Sequence, residues 1–125
     1  MINFDLISDL NLDAWNDTPK IDWKGLGTSL TCVVAGGISS NPEQARDLLF
    51  ELADSYNQVV FVDGDGDHND YDKIQERQDW FDTESNKKSN LYYLIDSTCI
   101  IDNTALIGTS GWWTFDHFSP EISKH

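Results

Sequence analysis

Apolar runs alternate with a periodic segment along the chain and predict strands that alternate with a helix. Continuous apolar runs at 30–35 and 58–62, rich in β-branched residues, are typical of buried parallel strands. Between them, apolar residues recur at three- and four-residue spacing over 45–56, which predicts a helix with one apolar face. Asn41 is placed to cap this helix, and Pro42 suits its first position.

The remaining segments predict further strands and one further helix. A mixed run at 2–8 predicts a strand that ends at Asp9, and a long polar stretch follows it to residue 29. A thin apolar stripe predicts a second helix over about 71–83. A polar turn at 86–90 then precedes three predicted strands at 91–95, 99–101 and 104–107. The last two strands are joined by a turn at Asp102-Asn103.

This order of elements predicts an α/β fold with one domain over residues 1–125. Apolar strands that alternate with a helix favour a mostly parallel sheet with right-handed crossovers, flanked by helices. In such sheets, sites lie beyond the carboxyl ends of the strands. Asp9, the Gly36-Gly37 pair and the polar segment 63–70 all follow predicted strands. The topology is therefore expected to bring these three segments together.

The charge of the chain excludes one class of partner. Its 125 residues carry 8 basic and 22 acidic side chains, a net charge of −14. Such a field repels phosphate backbones, so we expect no direct binding of nucleic acid. No apolar run approaches the roughly 20 residues of a membrane span, and the N-terminus has no secretory pattern. We therefore expect a cytoplasmic protein without membrane contact, with Cys32 and Cys99 as buried thiols.

Three motifs at the predicted strand ends resemble those of the calcineurin-like metallophosphoesterases. Residues 7–13, Ile-Ser-Asp-Leu-Asn-Leu-Asp, resemble the first motif, usually Ser-Asp-x-His-Leu. Residues 33–39, Val-Val-Ala-Gly-Gly-Ile-Ser, resemble the second motif, usually Ala-Gly-Asp-Ile-Ser. Residues 61–67, Phe-Val-Asp-Gly-Asp-Gly-Asp, resemble the third, usually Gly-Asn-His-Asp or Gly-Asn-His-Glu. Residues 107–113 are similar to a segment of phage-encoded members. The resemblance implies a partial α/β sandwich, the N-terminal half of the family fold, with a C-terminal β-hairpin.

The chain departs from the family at the chemical positions. Where the first motif supplies an Asp and a His to metal, this chain has Asp9 and Asn11. The bridging Asp of the second motif is replaced by Gly37, and the Asn and His of the third by Asp65 and Gly66. Two divalent ions about 3.5–4 Å apart need an anionic bridge, because they repel each other strongly. Because this chain lacks the bridging carboxylate, we expect no two-metal catalysis.

A reduced set of oxygen ligands remains. Asp9, Asn11, Asp65 and Asp67 can together hold one Mg²⁺, Mn²⁺ or Ca²⁺. A site with residual activity would use Asp9, Asp65 and His68 as its catalytic groups. Asp9 is equally well interpreted as a turn residue at a strand end, whereas Asn11 is better interpreted as a loop residue that bonds to its own backbone.

An aromatic cluster follows the last predicted strand. It consists of Trp112, Trp113, Phe115 and Phe118. Such residues are usually core. A shortened family fold would leave apolar surface open, which favours a protein partner or a homo-oligomer.

Three hypotheses for function follow. The first is a catalytically impaired pseudo-enzyme, phage-encoded and cytoplasmic, that binds or inhibits a host or phage protein. The second is a weakly active metal-dependent phosphoesterase with a rebuilt site. The third, which rests only on the charge of −14, is an acidic mimic of DNA that inhibits a nucleic-acid-binding protein.

Overall fold

A four-stranded parallel sheet forms the centre of the computed structural model, which describes residues 2–17 and 20–110. Its strands lie side by side in chain order, and each neighbouring pair is parallel. The strands are β1 (Asp5–Ile7), β2 (Thr31–Ala35), β3 (Gln58–Val62) and β4 (Leu91–Tyr93). The predicted α/β class with a parallel sheet is thereby confirmed, although β1 and β4 are shorter than their apolar runs.

Within residues 2–17 and 20–110, three α-helices accompany the sheet. They are α1 (Trp23–Leu26), α2 (Pro42–Ser55) and α3 (Ile74–Ser85). Helix α2 begins as predicted, because the Asn41 side chain accepts hydrogen bonds from the N–H groups of Glu43 and Gln44. The polar stretch 9–29 is not one loop, since it contains α1 and a 3₁₀ turn at Leu12–Ala14. No helix in the described part of the chain is long and apolar enough to cross a membrane.

The main core lies between one face of the sheet and helices α2 and α3. Phe61 of β3 stacks on Tyr93 of β4 with ring centroids 4.6 Å apart, and Phe81 of α3 meets Phe61 edge-on at 5.6 Å. Cys32 is fully buried in this core, and burial raises the pKa of its thiol to about 12. The buried thiol predicted at residue 32 is confirmed.

An antiparallel hairpin packs on the second face of the sheet. Its strands are β5 (Ser97–Ile101) and β6 (Thr104–Gly108). Asp102 and Asn103 both have positive φ, 50° and 61°, so the predicted hairpin turn is confirmed. Ile101 is buried with Val60 and Leu94 beneath the hairpin.

The second face of the sheet carries partly exposed apolar residues beneath the hairpin and at the far edge. Cys99 packs against the cluster beneath the hairpin but is only half-buried, so the prediction of a buried thiol there is wrong. At the far edge of the sheet, Leu6 of β1 remains 63% exposed. The second face is therefore less completely buried than the helix-covered face.

Asp5 ties the edge strand to two distant segments. Its carboxylate accepts hydrogen bonds from the Thr28 hydroxyl at 2.5 Å, the Thr28 N–H at 2.9 Å and the Tyr56 hydroxyl at 2.8 Å. These bonds, led by that from the Thr28 hydroxyl, lower the pKa of Asp5 to about 2. Strand β1 is therefore held to the loop before β2 and to the end of α2.

Replacing Gly108 by Ala is expected to destabilise the protein by about 1–3 kcal/mol through overpacking. A Cβ at Gly108 would overlap the Cβ of Leu94 and come within 2.9 Å of Val62 Cγ1. Urea unfolding measures the loss. Gly66→Ala is the matched control, because a Cβ there meets its nearest atom at an ordinary 3.5 Å. Equal stability of the two variants would contradict close packing of the hairpin.

The contribution of Asp5 to stability is expected to depend on pH in the acid range. A carboxyl whose folded pKa is lowered from 3.8 to about 2 stabilises the fold above pH 3.8 and loses this effect as the pH falls through 2. The difference in unfolding free energy between the wild type and Asp5→Asn should be constant above about pH 4 and shrink below it. The exposed Asp17→Asn variant is the control. The prediction would be contradicted if the free-energy difference between the wild type and Asp5→Asn were undiminished at about pH 2.

Candidate functional site

The loops that follow β1, β2 and β3 meet at the carboxyl edge of the sheet, as the sequence predicts. The Asp9 N–H donates to the Gly36 carbonyl at 3.1 Å, and the Asn11 N–H donates to the Gly37 carbonyl at 2.9 Å. The Gly37 N–H in turn donates to the Asp67 carboxylate at 2.9 Å. Two backbone–backbone bonds and one bond to the Asp67 side chain therefore hold all three candidate segments in one place.

The carboxylate of Asp67 lies at the centre of this edge and is almost completely buried. Its Oδ1 accepts from the N–H groups of Ile38 at 2.7 Å and Ser39 at 3.1 Å. Its Oδ2 accepts from the N–H groups of Gly37 at 2.9 Å and Gly64 at 2.8 Å. Successive N–H groups of this kind form anion-binding concavities in proteins. Here the chain fills its own concavity with a side chain.

Burial and backbone hydrogen bonds shift the pKa of Asp67 in opposite directions. Burial raises the pKa of Asp67 above its ordinary value, and the four backbone N–H groups oppose this only in part. Arg77 lies close by, since its guanidinium donates to the Asp67 carbonyl at 2.8 Å and to the Ser40 carbonyl at 3.2 Å. Burial lowers the pKa of Arg77, while the negative charge of Asp67 acts to raise it. Asp67 and Arg77 together lock the loop after β3 onto the loop after β2.

Two glycines allow this close approach of the loops. Gly36 and Gly37 have φ of 75° and 74°, a conformation that side chains disfavour. A Cβ on Gly37 would lie 2.9 Å from Asp9 Cα, and a Cβ on Gly36 would lie 2.9 Å from the Gly64 nitrogen. Residue 37 is the position at which the family resemblance implies a bridging carboxylate. In this backbone that position has no space for a side chain.

A second buried carboxylate, Asp63, organises the end of β3. Its Oδ2 lies 2.7 Å from His68 Nε2, and its Oδ1 accepts from the hydroxyls of Tyr93 at 2.7 Å and Ser110 at 2.8 Å. The Gln78 amide adds a longer bond of 3.3 Å. Burial raises the pKa of Asp63, but the hydrogen bonds outweigh it and leave the pKa below its ordinary value.

His68 is turned into this buried cluster. The side chains of His68 and Asp63 are both 0% exposed. A general acid or base must come within hydrogen-bond reach of its substrate. The catalytic role that the sequence allowed for His68 therefore does not fit its position, and the residue instead joins β3 to the loop that follows.

Asp9, Asn11 and Asp65 are exposed and adopt local turn geometry. Asp9 has φ of 56° and accepts from the Ser8 hydroxyl at 2.9 Å. The Asn11 amide donates to the Asp9 carbonyl at 3.2 Å, which is the loop role considered from the sequence. Asp65 accepts from the adjacent Gly66 N–H at 2.9 Å. These contacts favour the turn interpretation of Asp9 and Asn11.

The predicted ligands do not fit the two-metal centre that the family resemblance implies. The described residues hold no group of three or more His, Cys, Asp or Glu side chains arranged to bind a metal ion. Asp67 already accepts four backbone hydrogen bonds, and Gly37 leaves no space for a bridging group. The single-ion site predicted at Asp9, Asn11, Asp65 and Asp67 stays a prediction, although the Asp67 carboxylate is already engaged by backbone. The predicted partner surface at Trp112, Trp113, Phe115 and Phe118 lies outside the described residues.

Several residues of this edge were not predicted from the sequence. Tyr93 and Gln78 contact Asp63 from β4 and α3, and Arg77 contacts the backbone of two loops. Tyr93 belongs to an apolar strand, where a tyrosine indicates only a core position. The position of Asp63, directly after a buried strand, was the one local signal that a polar network is centred there.

Comparisons of the chain with protein-family models, with curated proteins and with solved structures found no match. The likeness to the calcineurin-like metallophosphoesterases therefore rests on the motifs quoted above.

Replacing Asp67 by Asn is expected to destabilise the protein by about 3 kcal/mol, because an amide group would face buried backbone N–H donors. Urea unfolding at neutral pH measures the change. Asp65→Asn is the matched control two residues away, since Asp65 is exposed and accepts only the Gly66 N–H among the bonds described. We expect a change below about 0.5 kcal/mol there. Similar losses in both variants would contradict the role assigned to Asp67.

Proposed function

We propose that this protein is a metallophosphoesterase-like pseudo-enzyme that acts by binding another protein. The observation that carries the proposal is the carboxylate of Asp67, which occupies four backbone N–H groups where the three loops meet. The resemblance locates the metal and substrate of active family members at this edge. An internal anion there competes with a phosphate group for the same donors.

The close packing of the loops after β1, β2 and β3 supports the proposal that the protein does not hydrolyse phosphoesters. A two-metal phosphoesterase must hold two ions about 3.5–4 Å apart around the reacting oxygens. The bridging position, Gly37, packs against the Asp9 backbone, and His68 is buried against Asp63. A hydrolytic site would therefore require all three loops to change conformation. If hydrolysis had been lost through one side chain alone, a single substitution could restore it.

The net charge and the resemblance to phage-encoded proteins support a protein partner and a location in the host cytoplasm. A chain with net charge −14 is repelled by nucleic acid and attracted to basic protein surfaces. The likeness to phage-encoded members supports a phage protein that acts in the cytoplasm of the host. In that setting, the protein would bind or inhibit a host or phage protein.

The test combines calorimetric titration with Mn²⁺ and an assay of an activated phosphodiester, with Ca²⁺ titration for comparison. We expect no tight binding of Mn²⁺ and no hydrolysis above background. The double variant Asn11→His with Gly37→Asp should also stay inactive, because a Cβ at residue 37 would lie 2.9 Å from Asp9 Cα. An active family member with intact motifs is assayed in parallel.

One set of results would overturn the proposal in favour of the weakly active phosphoesterase. It is tight binding of Mn²⁺ by the wild type together with turnover that Asp9→Ala abolishes.

A further inference from the structure

A groove of about 900 Å³ lies between the segment 20–24 and helix α2. Its apolar lining includes Leu12, Ile21 and Leu48, of which Leu12 and Leu48 are buried. Its acidic lining is formed by Asp22, Glu43, Asp47, Glu51 and Asp54. Lys20 and Lys24 are the basic residues of the lining. The groove therefore combines an apolar surface with an excess of negative charge.

Helix α2 carries its share of this charge in one row. Glu43, Asp47 and Glu51 follow one another at four-residue spacing, which disfavours the isolated helix because like charges repel. Arg46 contacts Asp47 at 3.1 Å, and Lys88 contacts Asp54 at 3.0 Å. Within the described ranges, no ion pair joins Glu43 or Glu51. A cationic ligand would relieve this repulsion.

Trp23 supplies a second and independent observation. Its side chain lines the groove, and the residue is only 8% exposed. The indole Nε1 is buried and has no hydrogen-bond partner among the residues that the structure describes. Buried donors are satisfied in the great majority of cases. A donor of this kind beside a groove indicates a ligand that brings an acceptor.

We propose that the groove binds a short, extended, basic segment of a protein partner. Lysine or arginine side chains of the segment lie against Glu43 and Glu51, and its apolar side chains pack on Leu48 and Ile21. A backbone carbonyl accepts the Trp23 N–H after a small shift of the groove wall. This inference rests on the proposed function, since it names the surface through which the protein acts.

An extended segment satisfies the indole better than a helix does. The carbonyl groups of a helix are bonded within it, except in the last turn, whereas an extended chain presents free carbonyl groups along its length. Helix α2 has 14 residues and is about 21 Å long. At about 3.3 Å per residue, it can line an extended segment of about six residues.

The experiment titrates the ¹⁵N-labelled full chain with the peptide acetyl-Lys-Leu-Lys-Leu-Pro-Lys-Leu-Lys-amide, whose proline disfavours a helix. We expect saturable binding and a downfield shift of the Trp23 indole resonance, which is assigned by its loss in Trp23→Phe. That variant should bind about three- to tenfold more weakly, because it removes one hydrogen bond. A peptide with glutamate in place of lysine should not bind.

A second set of titrations uses charge variants in which Trp23 is unchanged. Glu43→Lys with Glu51→Lys is expected to weaken binding about tenfold or more. The matched control, Asp79→Lys with Asp82→Lys, changes the net charge equally but lies on helix α3, outside the groove. We expect less than a twofold change there, after circular dichroism shows that both variants are folded.

If the two charge variants weakened peptide binding equally, the proposed groove site would be overturned in favour of non-specific electrostatic attraction. A Trp23 resonance that stays unmoved at saturation would overturn it too. Either result leaves the proposed function standing, because that proposal fails only on metal-dependent hydrolysis.

Discussion

The hydrogen bonds of Asp67 are the interaction on which the carboxyl edge of the sheet depends. A buried carboxylate must be compensated, and here the donors come from the loop after β2 and from Gly64 after β3. To present its N–H groups to one side chain, the β2 loop turns through Gly36 and Gly37 at positive φ. That turn leaves no space for a side chain at residue 37. The same contact therefore both stabilises the fold and fixes the backbone that excludes a side chain at residue 37, where the family resemblance leads us to expect a bridging carboxylate.

The two buried carboxylates of this edge are compensated in different ways. Asp67 is held by neutral backbone donors, and burial still raises its pKa. Asp63 is held by side chains, among them His68 and Tyr93, and its pKa is lowered despite burial. An active site keeps part of such a donor set open for a reacting group. At this edge the protein's own carboxylates already engage these donors, which favours a structural role for the whole cluster.

The sequence predicted those elements whose residues carry the signal locally. The apolar runs of β2 and β3, the periodicity and cap of α2, and the turn at Asp102-Asn103 each depend on neighbours in the chain. Helix α1 was missed, because one turn of helix has no detectable periodicity. The convergence of the loops followed from topology, whereas the role of Asp67 did not. Its partners are mostly backbone N–H groups 28 to 30 residues away, and a backbone donor has no signature in the sequence.

The edge and the groove are linked through the start of helix α2. Asp67 fixes the N–H of Ser39, and the Ser39 hydroxyl accepts from the Asn41 N–H at 3.0 Å, immediately before the helix begins. The helix that forms one wall of the groove is therefore held at its first turn by the contact that closes the edge. A rigid wall reduces the entropy lost when a partner binds. The contact that closes the carboxyl edge therefore also supports the groove wall to which the proposed partner segment would bind.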